Sequence, residues 1–486
     1  MIRKWRGVAL LILAASSIGL TANGTTLQPA PAPSPAKTEE KAESKPSSAP
    51  AETPAAPAPA ANRAATYGAF RQQFDSRHFA EALVPARQLV EQTEQQFGPS
   101  ATQLVNPLLN LGTTQLRLKD YGGAETSYKR AVKIVEQNQG GYSREIINPL
   151  FGLGMTYSAS GDYAGSTDAL KRAVDVSRKV DGLFNPAQLE LLDPLIASYT
   201  AQNSIEDAQR EQQYALRLAE TTYGKDDPRI LPALSRTAGW LESQGRFTTA
   251  RQIYARELDI ARKTGGDNDP RLVGPLRGIA RTYRQEFMYG PERPDGTADD
   301  SQIGGVSGPT ATPASANGVS TASVLNPDGE NALEAAMRIF DAHPGEDNAE
   351  RAQTLLELGD WKMTSGAWRQ AMNTYRDAWK VLSLPGAPGT GALDTPVAVV
   401  YRAPSIARQP HSDPDKYTQH YAEIEFTVTQ EGRVRDAKIG ANDVSDMAGK
   451  SVLSAVKRAR YRPRFVNGEP VETSGVRYKE TVYVKT

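Results

Sequence analysis

The segment Asp120-Tyr121-Gly122-Gly123-Ala124, continued by Tyr128 and Ala131, decides the reading of this chain because it recurs. Arg246-Phe247-Thr248-Thr249-Ala250, continued by Tyr254, repeats its pattern of an aromatic, a small residue three later and a second aromatic at helical spacing. Working outward, Phe79, Tyr121, Tyr163, Ile205 and Phe247 follow one another at a constant 42 residues. Three positions after each stands a small residue: Ala82, Ala124, Ser166, Ala208 and Ala250. A second marker, Asn185-Pro186, Asp227-Pro228 and Asp269-Pro270, keeps the same step, and Pro107, Pro149 and Pro275 share that register. Such Asx-Pro pairs are helix start signals, and a fixed period of this length is the signature of a repeat architecture.

One unit is predicted to be a helical hairpin. The large residue opening the second helix is expected to fill the wedge between helices, while the Ala three later lets the backbones approach. Gly161-Asp162 and Gln244-Gly245 supply the turn between the two helices. A single hairpin leaves its apolar face wet, so neighbours must stack. The turn at Ser204-Ile205-Glu206-Asp207 departs from the pattern and predicts a looser unit.

This pattern resembles the tetratricopeptide repeat, in the 42-residue variety of kinesin light chains, over roughly residues 67–285. The resemblance implies a superhelix with a concave groove for a protein or peptide. First-helix positions such as Asn110 would face that groove. The stretch from Tyr289-Gly290 to about Pro327 is rich in Gly, Ser, Thr, Pro, Ala and Asp and reads as a disordered insertion over 289–328. Helical pattern resumes at Asn331–Ala342, Ala349–Ser365 and Ala367–Leu382. The last two carry Leu358-Gly359-Asp360-Trp361, Trp368, Ala371, Tyr375 and Ala378. They form a terminal repeat with Trp368 in the wedge position, closing a helical block over 329–384.

Beyond Leu384-Pro385-Gly386-Ala387-Pro388-Gly389 the period changes from 3.6 to 2. Ile424, Phe426 and Val428 alternate on one strand within Tyr421–Val428, Gln430-Glu431-Gly432 turns, and Arg433–Ile439 returns. Ser445–Ala459 is predicted helical, and Tyr461–Val466 and Tyr478–Val484 are two further strands. The order β-β-α-β-β, with Gly432-Arg433-Val434, Ala455, Ala459-Arg460-Tyr461-Arg462-Pro463-Arg464-Phe465 and Asn467-Gly468-Glu469-Pro470-Val471, resembles the TonB C-terminal domain. In that family the tail meets outer-membrane transporters by pairing with a short extended peptide. The resemblance therefore implies strand addition along Tyr478, Val482, Tyr483 and Val484. Tyr401-Arg402-Ala403-Pro404 matches the family's Tyr-Pro element only in part.

At the other end, Arg3, Lys4 and Arg6 precede the apolar run Val8–Leu20 and an Ala22-Asn23-Gly24 cleavage motif, so residues 1–24 read as a signal peptide. A spanning helix needs about 20 apolar residues, more than this run offers. Uncleaved, it would anchor the chain in the inner membrane. Residues 25–65 are Pro, Ala, Ser, Glu and Lys in the main and read as a disordered, partly polyproline spacer.

Composition narrows the function. Lys+Arg and Asp+Glu balance at 56 each, which argues against a nucleic-acid binder. With Cys absent and four His, disulfide frameworks, thiolate nucleophiles and His-rich metal sites are not expected. His411-Ser412-Asp413 sits in a Pro-rich linker without a nucleophile motif. His78 reads as a helix-end residue, Glu423 and Glu425 as a solvated strand face, and Tyr128, Tyr254 and Tyr375 as core. The basic run Lys457, Arg458, Arg460, Arg462 and Arg464 reads as an exposed helix end and a charged strand edge.

The expectation is therefore a mostly α protein, a solenoid of helical hairpins over 66–288 and 329–384, then a linker and small α+β TonB-like domain over 385–486. Its expected role is a non-enzymatic periplasmic scaffold binding proteins or peptides, with an outer-membrane receptor among the partners the tail implies. No catalytic residue, cofactor or metal is expected. A TonB-family energy-transducer component of outer-membrane transport is the alternative.

Overall fold

The computed structural model describes residues 59–289, 325–345, 348–407 and 417–485. The expected signal peptide, most of the Pro/Ala-rich spacer, most of the insertion, and His411 lie outside them. The chain divides into two compact units between Thr222 and Tyr223.

The first unit holds four helical hairpins: α1 (Pro59–Asp75) with α2 (Phe79–Phe97), α3 (Val105–Arg117) with α4 (Tyr121–Gln139), α5 (Ile147–Ser160) with α6 (Tyr163–Asp181), and α7 (Gln188–Ala201) with α8 (Ile205–Tyr223). Each marker residue read from the sequence is the first residue of a second helix. The helix α1 starts at Pro59, inside the expected spacer; Pro is tolerated in a first turn, where its missing N–H would be unbonded anyway.

Local chemistry explains the boundaries. Asp120 and Asp162 cap α4 and α6, accepting from the backbone N–H groups of Gly123 and Gly165 at 3.0 Å. The residue before each cap is left-handed: Arg77, Lys119, Gly161 and Asn203 have φ of 61°, 62°, 87° and 61°. The turn at Ser204 follows the same geometry as its neighbours, with Ala208 fully buried, so the departure in sequence brings no looser hairpin. Second helices stop at Gly98, Gly140 and Gly182, again with positive φ.

Packing corrects one expectation. Of the residues that open second helices, Phe247 alone is buried, at 6% exposure, and Tyr163 is 38% exposed; Phe79, Tyr121, Ile205 and Trp368 are half-buried. The interior is filled a turn or two further on. Ala82, Ala124, Ser166, Ala208, Ala250 and Ala371 are fully buried, as are Ala86, Tyr128, Leu170 and Tyr375, with Tyr254 almost so. A helix's first residue lies at the end of its packed stripe; the residues three and seven further on face the neighbouring helices. Glycines receive the tyrosine rings: a Cβ on Gly152 would stand 2.3 Å from the Tyr128 ring, and one on Gly278 2.4 Å from that of Tyr254.

The second unit opens with α9 (Leu231–Ser243) and α10 (Phe247–Gly265). Its next hairpin pairs α11 (Val273–Tyr289) with α12 (Asp328–Ala342). The insertion thus falls within a hairpin, between its two helices, and α12 completes the unit that α11 begins. Gly329 lets α12 meet the buried Trp361, whose ring a Cβ would overlap. The last hairpin is α13 (Asn348–Thr364) with α14 (Trp368–Leu382).

The tail is richer in strands than expected. A short β1 (Val397–Val400) lies within the expected linker and pairs with β4 (Arg460–Arg462). β2 (Tyr417–Val428) is the centre of an antiparallel sheet between β3 (Val434–Asn442) and β7 (Thr473–Lys485). The helix α15 (Asp446–Arg458), capped by Ser445, packs Val452 and Val456 onto Ile424, Phe426 and Val428. Pro463 splits the expected strand 461–466 into β4 and β5 (Arg464–Val466), and β5 turns through Asn467-Gly468 into β6 (Glu469–Val471). Gly432 has φ +75°, as its hairpin requires, and a Cβ there would strike the Tyr461 carbonyl.

Candidate functional site

Two features of the second unit carry polar chemistry. The first is a chain of ion pairs along α11, buried at Arg277 and half-buried at Arg281 and Arg284. Arg277, Arg281 and Arg284 stand at i, i+4 and i+7, one helical stripe. Arg277 grips Glu357 of α13 through two bonds, Nε to Oε2 at 3.0 Å and Nη2 to Oε1 at 2.8 Å. Arg281 donates to Glu242 of α9 at 3.1 and 3.2 Å, and the Tyr254 hydroxyl donates to the same carboxylate at 2.9 Å. Burial opposes the charge on Glu357, yet Arg277 foremost, then Arg281 and Arg284, hold its pKa below the usual range.

Asp360 is the hub. It accepts from Arg284 of α11 at 3.2 Å and from the Tyr375 hydroxyl of α14 at 2.8 Å. Arg462, on β4 of the tail, reaches it with Nε at 3.1 Å and Nη2 at 3.0 Å. Both Asp360 and Arg462 are buried. This corrects the expectation that the whole basic run is exposed. Two residues apart on one unbroken strand they would share a face; the break at Pro463 between β4 and β5 lets Arg462 turn inward where Arg464 turns outward.

The second feature is the tail sheet. In the order β3-β2-β7, β7 lies at an edge. Val484 is 41% exposed and Tyr483 half-buried, whereas Val482 is in the core at 1% and Tyr478 packs inward, its ring 4.9 Å from Tyr401. Alternation turns Tyr483 outward, while Val484 shares the face of Val482 and is exposed next to the strand's end, so these two and the backbone edge are the accessible part. Under this strand Glu480 is buried and accepts from the hydroxyls of Tyr401 and, at 3.2 Å, Tyr478. Burial raises its pKa, and these two bonds offset the rise only in part. On the opposite face Glu425 pairs with Lys438 at 3.1 Å and Arg477 at 3.8 Å, while Glu423 lies 3.9 Å from Arg477. That is the solvated, ion-paired face read from the alternation.

Asn110 is corrected as well. It is 2% exposed, inside α3 rather than on an open groove. A thirteen-residue helix packed by α2, α4 and α5 has little free surface, and sequence register alone does not say which stripe remains. The α11 arginines, Asp360 and Arg462 were missed. The available signal was Arg277, Arg281 and Arg284 sharing one helical face with apolar neighbours, facing Glu357 and Asp360 three apart. Among the described residues no group of three or more His, Cys, Asp or Glu is arranged to hold a metal ion, and no helix is long and apolar enough to cross a membrane.

With the geometry in hand, known proteins can be compared. The tetratricopeptide repeat family matches residues 79–179, and the Gram-negative bacterial TonB protein C-terminal family matches residues 418–479. Among solved structures, a Podosopora anserina kinesin light chain with nearly identical TPR-like repeats is 15% identical with a TM-score of 0.40, covering 43% of this chain and 99% of its own. BtubC (BKLC) from P. vanneervenii is 15% identical with a TM-score of 0.38, covering 57% of this chain and 93% of its own. No curated protein matches the chain. The protein thus carries a tetratricopeptide-repeat segment over residues 79–179 and, towards its C-terminal end, a TonB-like domain over residues 418–479.

Proposed function

We propose that this protein is an exported, periplasmic interaction scaffold. Its repeats take a partner protein or peptide, and its tail offers the β7 edge for strand addition. The observation that carries this is the union in one chain of two modules whose families serve protein–protein interaction and the Gram-negative envelope. An edge strand with an unpaired row of backbone groups is a template for an extended peptide, and Tyr483 and Val484 are the side chains that would meet one. Asn110 has no part in it.

The test uses the full chain with a photo-crosslinking residue at Val484, and a control at Lys133 on α4, in periplasmic extract. A discrete adduct at Val484 that a Tyr483→Pro substitution removes supports strand addition. No adduct, or one indifferent to the proline, overturns it. The energy-transducer alternative draws on the same TonB match and needs a retained N-terminus. N-terminal sequencing separates the two, because a mature chain beginning near Thr25 is incompatible with a membrane-anchored transducer.

A further inference from the structure

The tail is built on two separate cores. Ile424, Phe426, Val428, Val452, Val456 and Val482 form one within the sheet and α15. Phe465 and Val399 belong to another, made mainly by the last hairpin, with Leu356, Met372, Tyr375 and Leu382. The β1, β5 and β6 segments thus complete the repeat, and β4 joins the two cores: Tyr461 packs on Phe426 at 5.2 Å within the sheet's core, while Arg462 reaches the last hairpin.

The contacts are specific. The Phe465 ring meets the Tyr375 ring edge-on at 6.1 Å, and Gly468 at the β5–β6 turn lies so close to Trp379 that a Cβ would stand 3.1 Å from its ring. Arg376 of α14 pairs with Glu469 of β6 at 2.8 Å. At the centre sits the two-bonded Arg462–Asp360 pair. The last hairpin of a repeat stack has no successor to cover its apolar face, and here the Arg462-Pro463-Arg464-Phe465 segment covers it.

We propose that the outer face of the last hairpin is a receptor for this hairpin-forming segment, filled by the chain's own tail and held closed by Asp360. The tail is then a latched cap, able to open without losing its own sheet. A buried ion pair favours an all-or-none joint. Its two charges are tolerable together or fully hydrated apart, and intermediate separations satisfy neither. Opening would uncover Tyr375, Trp379 and Phe465, and the ligand suited to the vacated face is a peptide carrying the same Arg and Phe.

Hydrogen exchange on the full-length protein tests this. Asp360→Asn and Arg462→Gln should each speed exchange at least tenfold in residues 460–471 and 368–382 together, leaving 417–428 and 473–485 at wild-type rates. A synthetic peptide of residues 460–471 should then bind the Arg462→Gln protein, which keeps Asp360, and not the Asp360→Asn protein. Unchanged exchange in both variants overturns the latch. Loss of protection throughout β2 and β7 also overturns it, since the pair would then hold the tail's own fold. Failure of the peptide to bind the Arg462→Gln protein overturns the receptor.

Discussion

The hairpins before Thr222 and those after Tyr223 share one packing scheme, with the 42-residue step running unbroken as far as Phe247, and bury different chemistry. In the first unit the inward-turned carboxylate of the half-buried Asp181 pairs with the exposed Arg144, and the buried polar residues among those described are all uncharged, from Thr93 to Gln212. They pair as neutral groups: Tyr128 with Thr113 at 2.9 Å, Ser127 with Gln115 at 2.7 Å, Ser166 with Ser198 at 2.8 Å. The second unit buries Glu257, Arg277, Glu357, Asp360, Arg462 and Glu480. Shape is therefore what the period preserves: a small residue at the third position and a glycine under each tyrosine ring. The seam polarity varies: Arg277 with Glu357 and Arg462 with Asp360 are paired charges, while Glu257 has only the Ser235 hydroxyl. The two units should accordingly respond alike to changes of volume and differently to changes of charge.

The largest expected contrast comes from breaking an ion pair. Glu357→Gln leaves the buried Arg277 and half-buried Arg281 beside a neutral amide, which should destabilise the second unit by about 3–5 kcal/mol. The double replacement Arg277→Met with Glu357→Leu should recover most of that, because an apolar pair of similar volume avoids the desolvation cost. Its counterpart in the first unit, Ser198→Ala, leaves one hydroxyl at Ser166 without its mate and should cost about 1 kcal/mol. Urea titration distinguishes them when far-UV circular dichroism follows both units and the fluorescence of Trp240, Trp361, Trp368 and Trp379, all in the second unit, follows that one. Equal losses in the two units would break the comparison.

The next contrast is with pH. Burial pushes the Glu257 carboxyl up to about 7, against a bond from Ser235 that pulls it down, and Oε2 has no partner. The folded protein then binds more protons than the unfolded chain between about pH 4.5 and 7. Stability of the second unit should fall as pH rises through that window and level off above it, by about 3 kcal/mol at most. Glu257→Gln should flatten the profile. Denaturation midpoints at pH 5 and pH 8 check this, and an unchanged pH dependence in the variant would remove Glu257 from the account.

The same contrast explains how much could be read beforehand. Period, hairpin turns and the buried Ala positions were legible because each depends on a residue type at one spacing. So was the tail's Gly432 turn, whereas Pro463 splits a strand that the alternation reads as continuous. The buried charges were not, because an Arg on a helix face reads as solvated until the opposing helix is known. Glu357 lies eighty positions from Arg277, and Asp360 102 from Arg462. A legible signal also went unused: Gly98, Gly140, Gly182, Gly224 and Gly266 keep the 42-residue step, all with positive φ, and mark the end of five second helices. The α11–α12 pairing across the insertion was hidden for a different reason. Gly329 stands where the pattern leads one to look for an aromatic.

Volume should erase the difference between the units. Gly152→Ala in the first and Gly278→Ala in the second both thrust a methyl into a buried tyrosine ring, at 2.3 and 2.4 Å. Each should cost about 2 kcal/mol through overpacking, despite a slight gain in helix propensity. Differential scanning calorimetry should show matched losses. A Gly278 effect much larger than that at Gly152 would mean that the Arg281–Glu242–Tyr254 network, and not ring packing alone, is sensitive to that spacing.

The smallest effect tests the turns themselves. Lys119 is left-handed at φ 62°, where Gly161, Gly245 and Gly366 stand in other hairpins. A side chain in that conformation costs roughly 1–2 kcal/mol, while glycine loses more freedom on folding, by about 0.5–1 kcal/mol. Lys119→Gly should therefore gain a few tenths to about 1 kcal/mol, and Gly161→Lys should lose a similar amount. Asn203→Gly should gain less, since Asn tolerates this region better than Lys. The exposed Lys119 makes few contacts that could confuse the result. If Lys119→Gly destabilises the first unit, the turn is held by the lysine side chain, and the backbone period is less independent of its chemistry than the seams indicate.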